Sequence, residues 1–215
     1  MKIKAVLWDF GGVVTTSPFE AFNRFEAENK LPRDVIRSIN ATNPLNNAWA
    51  RLESNRISVE EFDTAFAEEA SEKGVEIRGK QVLELLSGDI RPDMVQALRI
   101  IREQYKTACL TNNVKKAGEG PGMADNAEKA ARISEIMALF DHVIESSVIG
   151  VRKPEPAFYQ HACETLDIEP GEALFIDDLG INLKPAKEMG METIKVLSSS
   201  QAIQDMESVL GISLR

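Results

Sequence analysis

The chain has 215 residues, 43% of them hydrophobic, enough to bury a full core as one large domain or as a core with a smaller insert. Its 34 acidic residues against 25 basic ones leave a net charge of −9, which argues against a nucleic-acid partner but not against a small phosphorylated ligand. No run of about 18 apolar residues offers a transmembrane helix. The apolar part of MKIKAVLWDF is too short for a signal peptide, so the expectation is a cytoplasmic protein without a membrane partner. Cys109 and Cys163 have no metal-ligand spacing and sit in apolar segments, so they are expected as reduced, buried thiols.

In chain order, the first element is a strand, IKAVLWD (3–9), which stops at Asp9 with Gly11 and Gly12 close behind. About 75 residues of helical periodicity come next. FEAFNRFEAEN, PRDVIRSIN, NNAWARLESN, SVEEFDTAFAEEA and GKQVLELLSG predict four or five helices, and Ser58 with Glu61 has the spacing of a capping box.

Pro92 in DIRPDM then opens a helix over 92–104. TACLTNN (107–113) reads as a strand, and the Gly-rich segment 114–124 predicts a mobile loop. Further strands follow at HVIESS (142–147), ALFIDD (173–178) and ETIKVL (192–197), with helical patterns at about 124–140, 154–166 and 180–190. Strand alternating with helix implies an α/β fold with a doubly wound parallel sheet. The strands show little polar alternation, as expected of a sheet covered on both faces. The predicted organisation is a core of residues 1–15 and 89–215 and a small all-helical insert of residues 16–88 after strand one.

Polar residues mark the ends of four strands: Asp9, Thr111 with Asn112, Lys153 beyond the third strand, and Asp177 with Asp178. In open α/β sheets the ligand lies outside the carboxyl ends of the strands, so all four signals converge on one crevice. Taken singly, Asp9 could be a turn residue, Thr111 a helix cap and Lys153 a solvated lysine. The Asp177–Asp178 pair is harder to set aside, because adjacent carboxylates repel each other and a divalent cation relieves the repulsion. Asn182, one helical turn on, can face the same ion or its waters.

Together they fit one job. Asp9 is a nucleophile. Asp9 and Asp178 ligate a hard cation, best Mg²⁺, with Asp177 acting through water. Thr111, the backbone at Asn112, and Lys153 hold the oxygens of a transferring phosphoryl group. Gly11 and Gly12 let the backbone approach that group closely.

WDFGGV, LTNN, the lysine of RKPEP and FIDDLGIN resemble, in order and spacing, the four motifs of the haloacid dehalogenase-like hydrolase superfamily. The stretch from FDHVIESSVIG to GMETIKV, and ARLESNRISVEEF within the insert, are similar to the N-terminal phosphatase domain of soluble epoxide hydrolases. The resemblance implies a Rossmann-like core, a cap domain in place of the helical insert, and a Mg²⁺-dependent phosphohydrolase working through an aspartyl-phosphate on Asp9. It also implies that the Gly11 carbonyl ligates the metal.

One position departs from the family pattern. The second aspartate of D-x-D protonates the leaving oxygen and later activates water, and Gly11 stands in its place. Its function is worth about 10²–10⁴-fold in rate. A cap residue, a bound water or a good leaving group can stand in for it. Alternatively the protein transfers poorly, or is a binding or regulatory relative that keeps only the pocket. A haloacid dehalogenase, which uses the first aspartate without a metal, is a further reading that the Asp177–Asp178 pair disfavours. Phe19, Phe22 and Trp49 are expected chiefly as core of the insert and could also line the substrate pocket. Substrate identity is not readable from the sequence, and both a monomer and a homodimer remain compatible with it.

Overall fold

The computed structural model of the chain describes residues 2–113 and 126–214. The predicted loop at 114–124 lies outside the described residues.

Five strands form one parallel sheet: β1 (Ala5–Trp8), β2 (Lys106–Thr111), β3 (His142–Glu145), β4 (Ala173–Asp177) and β5 (Glu192–Lys195). Their spatial order is β3-β2-β1-β4-β5, so β1 is central, with β2 and β4 on either side. The chain first winds outward through β2 to β3, then returns to the other side of β1 for β4. That reversal opens a crevice at the carboxyl ends of β1, β2 and β4.

Side chains alternate along β1 and divide the core between two faces. Val6 and Trp8 pack in one apolar cluster with α6 (Pro92–Ile101), α7 (Ala127–Met137) and α11 (Ser199–Leu210). Ala5 and Leu7 pack in the other with α9 (Pro156–Leu166) and α10 (Gly180–Glu188). The doubly wound α/β arrangement expected from the sequence is therefore present. Coverage is uneven at the edges: His142 and Val143 of β3 are exposed, because an edge strand has a neighbour on one side only. HVIESS also ends as a strand at Glu145, and a short helix, α8 (Ser146–Ile149), begins there.

Between β1 and α6 lie α1 (Phe19–Glu28), α2 (Val35–Ala41), α3 (Ala48–Glu53), α4 (Val59–Glu72) and α5 (Gly79–Glu84). They share an apolar cluster of their own, including Phe22, Ile36, Phe62 and Phe66. The Ser58–Glu61 capping box is formed at the start of α4. α2 is capped from outside itself: the buried Glu26 of α1 accepts from the N–H groups of Asp34 (2.7 Å) and Ile36 (2.9 Å), satisfying donors that a helix end leaves open. The chain enters and leaves these helices through a narrow neck. Thr15 and Ile90 form an antiparallel bridge, Thr16 N–H donates to Asp89 and Arg91 N–H to Val14. Among the described residues, no helix is long and apolar enough to cross a membrane.

Candidate active site

β1 carries its backbone ladder one residue past the strand, where Asp9 N–H donates to Ile176 O at 2.9 Å. Asp9 is therefore fixed at the foot of the crevice. Its Oδ1 accepts from the Phe10 N–H at 2.7 Å and lies 2.9 Å from Lys153 Nζ, while no described residue engages Oδ2. Lys153, only 1% exposed, also donates to Asp177 Oδ2 at 2.8 Å. One ammonium thus bridges the ends of β1 and β4.

The remaining residues singled out in the sequence divide into those at the cavity and those behind it. Asp9, Gly11, Thr111, Asn112, Lys153 and Asp178 line one cavity of about 660 Å³. Asp177 is fully buried behind them. It accepts from Lys153, from Leu179 N–H at 2.8 Å, and from Asn182 Nδ2 at 3.1 and 3.0 Å. Asn182 therefore orients Asp177 through its Nδ2, and it also lines the cavity. Gly12 is backed onto Asp178 and does not line the cavity among the described residues. The Asn112 side chain grips the backbone of Lys153: Nδ2 donates to Lys153 O and Oδ1 accepts from Lys153 N–H, each at 2.9 Å. The loops after β2 and before α9 are thereby held in register.

The electrostatics show charge in want of a partner. Burial, with Asp177 and Asp178 nearby, raises the Asp9 carboxyl well above the usual carboxylate range against the pull of Lys153. Burial and Asp177 push Asp178 up to about 6. Burial alone would lower the Lys153 ammonium, but Asp177 and Asp9 outweigh it and hold the group above its ordinary value. Three carboxylates, with oxygens within 4.8 Å of one another, face this one ammonium. A hard divalent cation with oxygen ligands suits that donor set. The buried Cys109 beneath them has its thiol pushed up by burial and by Asp9, so it stays protonated and unreactive. Cys163 is buried too.

The opposite wall of the cavity comes from the helical insert. Phe19, Phe22 and Trp49 all line it, and all three also belong to or pack against the insert's apolar cluster. Glu53 and Arg152, which the sequence reading passed over, meet at this wall at 2.5 Å. The signal available for them was slight: Arg152 precedes Lys153, and Glu53 lies in the ARLESN segment.

Comparison with known proteins identifies the family of the chain. The family model for haloacid dehalogenase-like hydrolases matches residues 3–190. Mouse acyl-CoA dehydrogenase family member 10 is 32% identical over 98% of this chain, which spans 19% of that protein. Pig bifunctional epoxide hydrolase 2 is 30% identical over 100% of this chain, which spans 40% of its length. The chain thus covers less than half of each of these longer relatives. Among solved structures, a Bacteroides thetaiotaomicron enzyme of the same family, in complex with magnesium and inorganic phosphate, is 25% identical. It superposes with a TM-score of 0.58, covering 90% of this chain and 93% of that one. The chain belongs to the haloacid dehalogenase-like hydrolases.

Proposed function

We propose that the protein is a Mg²⁺-dependent phosphatase acting on a small organic phosphate, with Asp9 as the nucleophile. The observation that carries this reading is the grouping of Asp9, Asp177 and Asp178 around the buried Lys153 ammonium at the foot of a cavity. Asp9 Oδ2 attacks phosphorus, the bond from phosphorus to the substrate oxygen breaks, and the phosphoryl group passes to Asp9. Water then attacks phosphorus, releasing inorganic phosphate and returning the carboxylate. Lys153 Nζ, the Thr111 hydroxyl and the backbone at Gly11 and Asn112 bind the phosphoryl oxygens and neutralise their charge.

Asp9, Asp178 and the Gly11 carbonyl would hold Mg²⁺, with Asp177 behind them acting through water; the ion supplies further neutralisation of the phosphoryl oxygens. The magnesium and phosphate in the Bacteroides relative support the pairing of ion and substrate class. The helical insert acts as a cap that closes over the substrate. Gly11 has no side chain to give the leaving oxygen its proton, so that proton comes from water, or the leaving group departs without one. A haloacid dehalogenase would attack carbon from Asp9 without a metal, and such chemistry has no use for three crowded carboxylates.

The test is p-nitrophenyl phosphate hydrolysis with and without Mg²⁺, for wild type and Asp9→Asn. Metal-dependent release that disappears in Asp9→Asn is expected. Binding of Mg²⁺ and phosphate with no release by wild type would overturn the phosphatase reading. Chloride release from a haloacid in the presence of EDTA would favour the dehalogenase.

A further inference from the structure

Phosphoryl transfer at Asp9 needs two core loops in register: residues 111–113 after β2, and Arg152–Lys153 ahead of α9. Glu53, at the end of α3 in the insert, reaches both. Its Oε2 accepts from Arg152 Nη2 at 2.5 Å and lies 3.4 Å from Asn112 Nδ2. Its backbone carbonyl accepts from Ser146 Oγ at 2.7 Å, and that hydroxyl accepts from Asn113 N–H at 3.1 Å. Arg152 takes a second hold on the insert through Nη1 and Pro44 O at 3.0 Å. The pair is largely buried at the cavity wall, with side chains 13% and 9% exposed for Arg152 and Glu53.

Glu53 is not arranged to replace the acid missing at Gly11. Its Oε1 accepts from Trp49 Nε1 at 2.8 Å and its Oε2 faces Arg152, so both oxygens already serve neighbours. We propose that Glu53 is a positioning residue, by which the insert sets the loops carrying Thr111 and Lys153 against Asp9 through Asn112 and Arg152. The inference rests on the phosphoryl-transfer reading of the site. It adds that the seating of the insert on the core and the placement of Thr111 and Lys153 are coupled at this carboxylate.

Trp49 provides a readout. The chain has two tryptophans, and only Trp49 has its indole N–H bonded to Glu53; the indole N–H of Trp8 is buried without a partner. Their two indole signals in a ¹H–¹⁵N spectrum therefore report separately on the insert and on the core. The comparison uses wild type, Glu53→Gln, Arg152→Met and the double variant of the whole chain. Each is titrated with inorganic phosphate in the presence of Mg²⁺ and assayed with p-nitrophenyl phosphate.

In wild type, phosphate is expected to move the Trp49 signal. In Glu53→Gln that response is lost while the Trp8 signal stays in place. kcat falls about tenfold to a hundredfold with a smaller change in KM, the signature of misplacement and not of lost binding. The double variant is expected to be no worse than the worse single, because both remove one linkage. If Glu53→Gln fails to keep the Trp8 signal of a folded core, Arg152→Met makes the same break from the core side. A Trp49 response and kcat like wild type in the folded single variants would overturn the proposal, as would losses that multiply in the double. If wild type binds phosphate with a Glu53-dependent Trp49 response but turns nothing over, the phosphatase reading fails and the coupling stands.

Discussion

Gly12 and Asp178 compete for one space: a Cβ on Gly12 would lie 2.2 Å from Asp178 Oδ2 and 2.4 Å from its carboxyl carbon. Gly12 also has φ of +80°, a conformation that costs other residues about 1–2 kcal/mol. This glycine is the seat of the Asp178 carboxylate. Gly12→Ala is expected to displace Asp178 from Asp9 and to weaken Mg²⁺ binding at least about tenfold, since one charged ligand leaves the set. Calorimetric titration with Mg²⁺ measures this directly. Affinity equal to wild type would mean that Asp178 is not a ligand.

Lys153 holds two buried carboxylates at once, 2.9 Å from Asp9 and 2.8 Å from Asp177. Lys153→Met leaves both without their cation in an interior where each is strongly penalised. Breaking a buried pair in this way costs about 3–5 kcal/mol of stability, read from urea unfolding. Turnover should fall by about 10²–10³-fold, because a charge-stabilising donor has gone and Asp9 and phosphate repel each other unscreened. A variant that retains wild-type kcat would remove Lys153 from the mechanism.

The raised carboxyls predict how metal and pH act together. With its folded value at about 6, Asp178 binds more protons folded than unfolded between roughly pH 4 and 6. Stability without metal therefore loses this contribution as pH rises through that window, and Asp9 acts in the same direction. Mg²⁺ competes with those protons and relieves the repulsion once they leave. The rise in Tm on adding Mg²⁺ should be small near pH 5 and reach its full size above about pH 7. Asp178→Asn should flatten that dependence. An equal Mg²⁺ effect at pH 5 and pH 8 would contradict the assignment.

The parts of this site that were legible in the sequence are those that local pattern reports. Asp9 and Asp177 close apolar runs, and a strand end in an alternating α/β chain has a known destination. Asn112 and Asn182 show the limit. The sequence places both at the crevice, and the structure adds that the Asn112 amide grips Lys153 and the Asn182 Nδ2 orients Asp177. Asn182 reaches Asp177 across the short turn after β4, whereas the Asn112–Lys153 contact is settled by how loops dock, which periodicity does not encode. The same holds for Gly12, whose neighbour Asp178 lies across the sheet crevice, and for Glu53 with Arg152, which are about a hundred residues apart in the chain. Phe19, Phe22 and Trp49 read as insert core and are that, yet they also face the cavity, because a small helical layer has few side chains to serve both purposes.

Gly11 offers the most direct test of what limits the chemistry. It lines the cavity beside Asp9, two positions after it, where a carboxyl would be within the same pocket as the leaving oxygen. General acid catalysis matters in proportion to how poor the leaving group is, since a stable phenolate departs without a proton and an alkoxide does not. Gly11→Asp should therefore raise kcat/KM strongly for an alkyl phosphate, by up to about 10²–10⁴-fold, and much less for p-nitrophenyl phosphate. The gain should be absent in Gly11→Asn, which has similar size and no proton to give. It should also vanish on adding Asp9→Asn, because the acid serves only the nucleophile's reaction. Equal gains on both substrates would point to better binding and not to protonation. No gain on either would show that water or a neighbouring group already fills the role that the missing aspartate plays elsewhere in the family.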